Sequence, residues 1–439
     1  MNSLQTLLML SIFFATVFMM LWRPRNINEA ITTSVAASVI FLLGIVPLAD
    51  IGNIFGIVSG AAITILSTIA MSIVLESIGF FRWAAINLAI KANGSGIMLF
   101  WYINLLCFLM TLFFNNDGSI LITTPIIIQT LNLLRLESRQ KIPYLISGAL
   151  VATGSSAPIG VSNLANLIAL HIVKLDLNTY ASMIFVPAML GIVCMAILLF
   201  FYFKKVIPVQ IPTDIAHANK SYDGQASIDF KLFRICLMIV IATRISFFAL
   251  APFGVPTEWP AVIGATLLIL IRWYKRKIGA IDVINKSPWH ILVFAFSMYV
   301  IVFGLQNVGM TDLIIKHFSS LAREGPLNAI LIMGMLLTVL SNICNNLPSI
   351  MIGTLSITEM GLDIPSMQVA YLGNVIGADI GSLILPIGTL ASLIWMHTLS
   401  RYQVPISWGE YLKVTIVVIP ISLVASLLGL YAWTELFFF

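Results

Sequence analysis

The chain has 439 residues, 59% of them hydrophobic and only 9% charged, with a mean hydropathy of +1.02. Soluble domains carry about 25% charged residues, so this composition excludes a soluble protein and predicts an all-α polytopic membrane protein. The formal charge of +5 is no nucleic-acid signal. Most Lys and Arg sits in short connections between apolar runs, where it sets orientation.

A bilayer core takes about 20 apolar residues per helix. The first run, MNSLQTLLMLSIFFATVFMML, lacks a basic start and a small-residue cleavage site, which predicts a retained helix and not a signal peptide. Simple spans follow the pattern 4–21, 28–48, 55–79, 178–203, 233–250, 258–273, 289–308 and 411–432. Regions 143–172 and 367–399 are longer and interrupted by Gly, Ser and Pro. Regions 97–134 and 327–357 are apolar runs broken by Asn pairs.

Basic residues cluster at 22–27 (Arg23, Arg25), 80–96 (Arg82, Lys91), 135–141 (Arg135, Arg139, Lys141), 204–234 and 272–286. The other connections hold Asp50, Asp176, Glu258, Glu359 and Asp363. The two kinds alternate if each Asn-broken region enters and leaves on one side. The positive-inside rule then puts both termini outside and the polar 204–232 loop in the cytoplasm, as a mobile linker.

The second half echoes the first. LESIGFF (75–81) resembles LQNVGMT (305–311), and Asn115-Asn116 matches Asn345-Asn346, both at an offset of 230. Pro158-Ile159-Gly160 matches Pro386-Ile387-Gly388 at 228, and SNLANLIALH (162–171) matches GTLASLIWMH (388–397) at 226. Matches in order at nearly constant spacing mark an internal repeat. Residues 1–203 and 233–439 are expected to be two repeats joined by 204–232, with about 10 transmembrane helices, two re-entrant hairpins and two broken helices in all. An odd number of crossings in each half inverts the second. Inverted repeats with interrupted helices at matching places are the sequence sign of a secondary transporter with a midplane site.

Irregular backbone at membrane depth is tolerated only when buried in protein or lining a wet cavity. The first hairpin tip is Asn115, Asn116, Asp117, Gly118 and Ser119; the second is Asn345, Asn346, Leu347, Pro348 and Ser349. The broken helices are TGSSAPIGVSN (153–163), with Ser155, Ser156, Ser162 and Asn163, and GADIGSLILPIGT (377–389), with Asp379 and Ser382. Each break exposes peptide N–H groups at a half-helix start, carrying roughly half a positive charge. The side chains are neutral donors and acceptors, apart from Asp117 and Asp379. A small neutral polyhydroxyl solute or a single small ion fits such a lining. The two carboxylates lack a basic neighbour in sequence and are the candidate carriers of a coupling proton.

Other polar residues have plainer readings. Glu76 reaches the surface, Arg244 snorkels from a helix end, His171 and His397 cap helix ends, and Cys344 is packing material. Cys107, Cys194, Cys236 and Cys344 are widely spaced without a CxxC pair, and no GxxxxGK[ST] loop exists. Neither a disulfide framework, a metal site, a cofactor nor intrinsic ATP hydrolysis by that loop is expected. Paired catalytic motifs such as HExxH are also lacking, so an enzyme is not expected.

FFNNDGSILITTPI (113–126), SNLANLI (162–168), NNLPSIMIGTLSI (345–357) and GNVIGADIGSLILPIGTLASLIWMH (373–397), followed by ISWGEYLK (406–413), resemble the ArsB arsenite-efflux permease family nearly end to end. That family lies in the ion transporter superfamily with NhaD-type sodium/proton antiporters and dicarboxylate carriers. The resemblance implies export of trivalent arsenic and antimony, As(III) and Sb(III), as neutral hydroxides against inward protons. The runner-up is a sodium/proton or small organic anion exchanger of the same superfamily. A plasma (cell inner) membrane location is implied. The resemblance also allows a cytosolic ATPase partner and a homodimer. Where the family carries Pro-Lys and then Thr, this chain has Ser382-Leu383 and Leu385. On this reading Asn115, Asn116, Asn345 and Asn346 hold the solute, with Gly118, Ser119, Ser155, Ser156, Ser162, Asn163, Ser349 and Ser382 helping, and Asp117 and Asp379 carry the proton.

Overall fold

The computed structural model describes residues 3–22, 27–212, 229–404 and 406–439. These residues form an all-helical polytopic membrane protein, and seven of the helices are long and apolar enough to cross a membrane. Most of the 204–232 segment, together with Arg23 and Arg25, lies outside the described residues.

In chain order, α1 (Ser3–Trp22) and α2 (Glu29–Leu42) lead into α3 (Leu48–Ser77), α4 (Phe80–Lys91), α5 (Gly96–Phe113) and α6 (Asn116–Leu133). Then come α7 (Ser138–Gly154), a 3-10 turn (Gly160–Ser162), α8 (Leu164–Ile172) and α9 (Leu177–Phe203). The order then repeats: α10 (Phe230–Leu250), α11 (Glu258–Arg276), α12 (Ile281–Lys286), α13 (His290–Asn307), α14 (Met310–Ala322), α15 (Pro326–Cys344) and α16 (Asn346–Glu359). It closes with α17 (Ile364–Asp379), a second 3-10 turn (Gly381–Ile384), α18 (Leu390–Arg401) and α19 (Trp408–Phe437).

The same local devices appear in both halves. Gly79 (φ 84°) and Gly309 (φ 80°) turn the chain after α3 and α13 in a left-handed conformation that side chains rarely adopt. The short helices α4 and α14 that follow were read only as connections, because 12 or 13 residues cannot span a bilayer. One difference is that α3 is continuous where α12 and α13 are separated at Ser287-Pro288. Arg272, fully buried, holds this break. It donates to Asp282 at 2.6 and 2.7 Å, to the Gly279 carbonyl at 2.5 Å and to the Ser77 hydroxyl at 3.0 Å. Hydrogen bonding to Arg272 keeps the Asp282 carboxyl below its ordinary value.

Packing is reciprocal. α2 lies against α13 as α11 lies against α3, and α6 lies against α18 as α16 lies against α8. α3 meets α13 and α9 meets α19, each helix on its own counterpart. The core is one continuous cluster that runs from Met9 to Leu430. Large exposed apolar side chains such as Phe55, Phe201, Trp259 and Ile421 cover the outside, as a surface solvated by lipid requires.

Candidate functional site

Both Asn pairs form N-terminal caps. Asn115 Oδ1 accepts from the Gly118 N–H at 2.8 Å and starts α6; Asn345 Oδ1 accepts from the Leu347 N–H at 3.5 Å and starts α16. The broken helices restart in the same way. Asn163 Oδ1 accepts from the Ala165 N–H at 3.0 Å to start α8, and Thr389 Oγ1 accepts from the Ser392 N–H at 3.0 Å to start α18. Asn115, Asn163 and Thr389 hold the chain extended while offering an oxygen to orphan N–H groups, whereas Asn345 does so from φ 77°. Asn115, Asn116, Asn345 and Asn346 are all at least nine-tenths buried, so neither tip is a surface loop.

The four helix starts converge. One small cavity, with about 20 Å³ of space for water-sized groups, is lined by Asn116, Leu164, Asn346 and Leu390, the first residues of α6, α8, α16 and α18. Asp117, Asn163 and Asn345 complete the polar wall, and Leu347 with Ile291 and Phe294 of α13 forms the apolar side. Among the described residues no basic side chain lines it. Four partial positive charges therefore surround a pocket whose side chains are amides, apolar groups and one carboxylate.

Asp379 lies at the end of α17 and is 1% exposed. Its Oδ1 accepts from Asn163 Nδ2 at 2.7 Å and its Oδ2 from Asn166 Nδ2 at 2.6 Å. A carboxylate of one half is thus clasped by two amides at the helix start of the other. Asn163 is shared, since it lines the cavity, caps α8 and holds Asp379. Tyr371 donates to the Asn166 carbonyl at 3.1 Å and fixes the clasp from behind.

Five of the expected residues line the cavity: Asn116, Asp117, Asn163, Asn345 and Asn346. Asn115 stands behind it, with its Nδ2 lacking a partner among the described residues. A methyl at Gly118 would lie 2.4 Å from Asn115 Oδ1, so glycine there lets the cap close. Ser155, Ser156 and Ser349 donate to backbone carbonyls of their own turns at 2.5, 2.8 and 2.7 Å. Ser119, Ser162 and Ser382 are buried with hydroxyls that lack partners among the described residues, and none lines the cavity.

Three contributors were missed. Asn166 sits three residues after Asn163, a spacing that puts both on one helix face, and that spacing was the available signal. Thr389 is the hydroxyl counterpart of the Asn caps. Arg244 corrects an expectation. It does not snorkel but is 6% exposed, donating from Nε to the Phe113 carbonyl at 2.6 Å and from Nη2 to the Phe114 carbonyl. Those carbonyls end α5 and lack intrahelical partners, so a guanidinium satisfies them better than lipid could. His171 and His397 are exposed and away from the cavity, as is Glu76.

The family model described as the ArsB arsenical pump membrane protein matches residues 8–434. The chain belongs to the ArsB family. A Bacillus subtilis (strain 168) protein is 46% identical over 438 residues, covering 97% of this chain and 99% of that one. The arsenical pump membrane protein of Escherichia coli is 33% identical over 407 residues, covering 93% and 94%. A 46 kDa membrane protein of Mycobacterium leprae is 20% identical over 432 residues. As an ArsB-family member, the chain is a multi-pass protein of the plasma (cell inner) membrane. Leu383, where this chain departs from the Pro-Lys pattern, is fully buried, with Cδ1 3.6 Å from where a methyl on Gly154 would stand.

Proposed function

We propose that this ArsB-family protein is a secondary antiporter that exports arsenite and antimonite from the cytoplasm in exchange for protons. Convergence of four helix starts on one amide-lined cavity with Asp117 in its wall carries the reading. A neutral trihydroxide offers three hydroxyls, each a donor and an acceptor. Amides match both roles, whereas a charged lining would require a charged solute. Asn116, Asn163, Asn345 and Asn346 hold the solute.

Asp117 and Asp379 carry the coupling proton. A carboxylate clasped by Asn163 and Asn166 changes its acceptor demand when it gains a proton. Because Asn163 also lines the cavity, that change reaches the solute. Residues 1–203 and 233–439 act as inverted repeats, which the repeated element order and reciprocal packing support. A neutral solute exchanged for a proton moves net charge, worth about 2.3 kcal/mol per 100 mV.

In everted vesicles, Asp379→Asn should abolish arsenite uptake driven by a proton gradient while leaving the protein folded. Wild-type rates in that variant would remove Asp379 from the coupling. A sodium/proton or small organic anion exchanger is the competing reading, since helix starts also attract anions. Side-by-side fluxes of arsenite, sodium and dicarboxylates separate the three.

A further inference from the structure

The apolar side of the cavity is one patch, built where α13 meets the second tip. Ile291 and Phe294 stand three residues apart, on one face of α13. Leu347 is the second residue of α16, and α13 packs on α16. The three side chains are 5%, 2% and 7% exposed, and all line the same small space as the amides of Asn116, Asn163, Asn345 and Asn346.

The first half offers no such patch. At the offset of 230, Asp117 takes the place of Leu347, and Ala61 and Thr64 take those of Ile291 and Phe294. Asp117 lines the cavity, but α3 lends it no residue, and the Thr64 hydroxyl lies 3.1 Å from that of Thr257 instead. Apolar residues at a helix contact are ordinarily core packing. These three differ because they share a space with hydrogen-bonding groups, so whatever enters meets both kinds of wall at once.

We propose that Ile291, Phe294 and Leu347 determine which hydroxides the cavity accepts, by receiving the side of the solute that carries no oxygen. The inference rests on the arsenite reading above and gives that site a rule of selection. A trivalent arsenic or antimony centre bonds three hydroxyls and keeps a lone pair on its fourth side. Such a solute turns its hydroxyls to the amides and its bare side to the apolar patch. A tetrahydroxide has oxygen on every side. However it turns, one hydroxyl falls against Ile291, Phe294 and Leu347, which offer neither donor nor acceptor, and that hydroxyl has given up its water for nothing. Charge plays no part in this choice, which is therefore separate from the pull of the helix starts and from the carboxylate of Asp117.

Germanic acid, Ge(OH)4, is the probe. Germanium is the neighbour of arsenic in the periodic table, and the acid is uncharged at neutral pH. Arsenite uptake into everted vesicles holding the full chain is measured against added antimonite and against added germanic acid. In the wild-type chain germanic acid should inhibit at least about ten-fold more weakly than antimonite, as expected for one hydroxyl set against an apolar wall. Leu347→Asn keeps the size and adds an amide, and Ile291→Thr adds a hydroxyl; each should close most of that gap. Leu347→Ala and Ile291→Val make room without offering a hydrogen bond and should keep it open. The ratio of the two inhibition constants is read in each case, and a general loss of folded protein does not move it. Equal inhibition of the wild-type chain by both acids would overturn the proposal without any variant. Polar variants that keep the wild-type ratio would overturn it too, as would a gap closed by Leu347→Ala as fully as by Leu347→Asn, since room and not polarity would then decide. A wild-type chain that takes up no arsenite would instead defeat the reading on which the proposal rests.

Discussion

The two hairpin tips carry the same Asn pair at the same cavity, yet they are fastened by different means. The first is tied to a distant element: Arg244 of α10 holds the Phe113 and Phe114 carbonyls, and no equivalent arginine stands in α1. The second is tied to its own half. Asn345 Nδ2 donates to the Ile387 carbonyl at 3.2 Å, and the Asn346 N–H donates to the Gly388 carbonyl at 2.8 Å. One turn earlier, Asn342 donates to the Thr338 and Gly381 carbonyls at 2.8 and 2.9 Å and accepts from the Leu385 N–H at 2.7 Å. The first half has Leu112 at that place in the repeat.

Glycines deepen the contrast. A methyl on Gly373 would lie 2.7 Å from the Ile330 carbonyl oxygen, and one on Gly377 2.2 Å from the Gly334 carbonyl oxygen. α15 and α17 therefore touch backbone to backbone, and the second tip and second broken helix form one stiff body. Leu145 and Ala149 occupy the matching places in α7. Similar sequence in two halves can place similar groups at a site while leaving one half freer to shift. Alternating access needs such a difference, for if both tips were locked to their own halves and to the scaffold, no part could move.

The largest expected effect breaks the stiff side. Gly377→Ala pushes a methyl into a backbone oxygen and should lower stability by about 3 kcal/mol. Gly148→Ala in the first half meets side chains and no backbone, the Cys107 sulfur at 3.1 Å and Ile127 Cδ1 at 3.4 Å, and should cost well under that. Thermal unfolding of the two variants in detergent makes the comparison, and equal losses would erase the asymmetry. Next, Arg244→Met strips both carbonyls of their donor and should cost about 2 kcal/mol. The loss should be accompanied by faster hydrogen exchange at 113–119 but not at 345–349. Protection lost at both tips would mean that they are coupled as one body.

The smallest effect separates the caps themselves. Asn345 sits at φ 77° and ψ 154°, a region that is strained for any residue but glycine, whereas Asn115 sits at φ −163° and is relaxed. Asn345→Gly should therefore relieve strain and be neutral or stabilising by up to about 1 kcal/mol. Asn115→Ala should cost about 1 kcal/mol for the lost cap. Midpoints of unfolding read both, and a destabilised Asn345→Gly would show that the amide matters more than the strain.

Much of this architecture is legible in the sequence because a bilayer forces helices to announce themselves. Several apolar runs fall within a few residues of the helices found, as at 289–308 against His290–Asn307, while 55–79 misses the first turns of α3, which begins at Leu48, and 28–48 overruns α2, which ends at Leu42. Asn pairs and Pro-Ile-Gly repeats within such runs mark candidate breaks, and a break at membrane depth has to be buried in protein or line a cavity, since unpaired backbone in lipid is so costly. The site was visible to the extent that its residues lie at those breaks. Arg244 and the clasp of Asn166 on Asp379 were not, for a physical reason. Each acts across the fold, Arg244 on a carbonyl 131 residues away and Asn166 on a carboxylate 213 residues away, and nothing in local composition encodes that meeting. A lone arginine in an apolar run looks alike whether it reaches outward to headgroups or inward to a helix end.

On the antiport reading, one amide-lined cavity moves a neutral arsenic hydroxide in exchange for protons. Purified protein in liposomes, with arsenite flux and internal pH recorded together, tests it most directly. Arsenite leaving one side should draw protons the opposite way in fixed proportion, and Asp117→Asn should uncouple or stop both. Arsenite movement without any proton movement, or proton movement that answers only to sodium or a dicarboxylate, would contradict it.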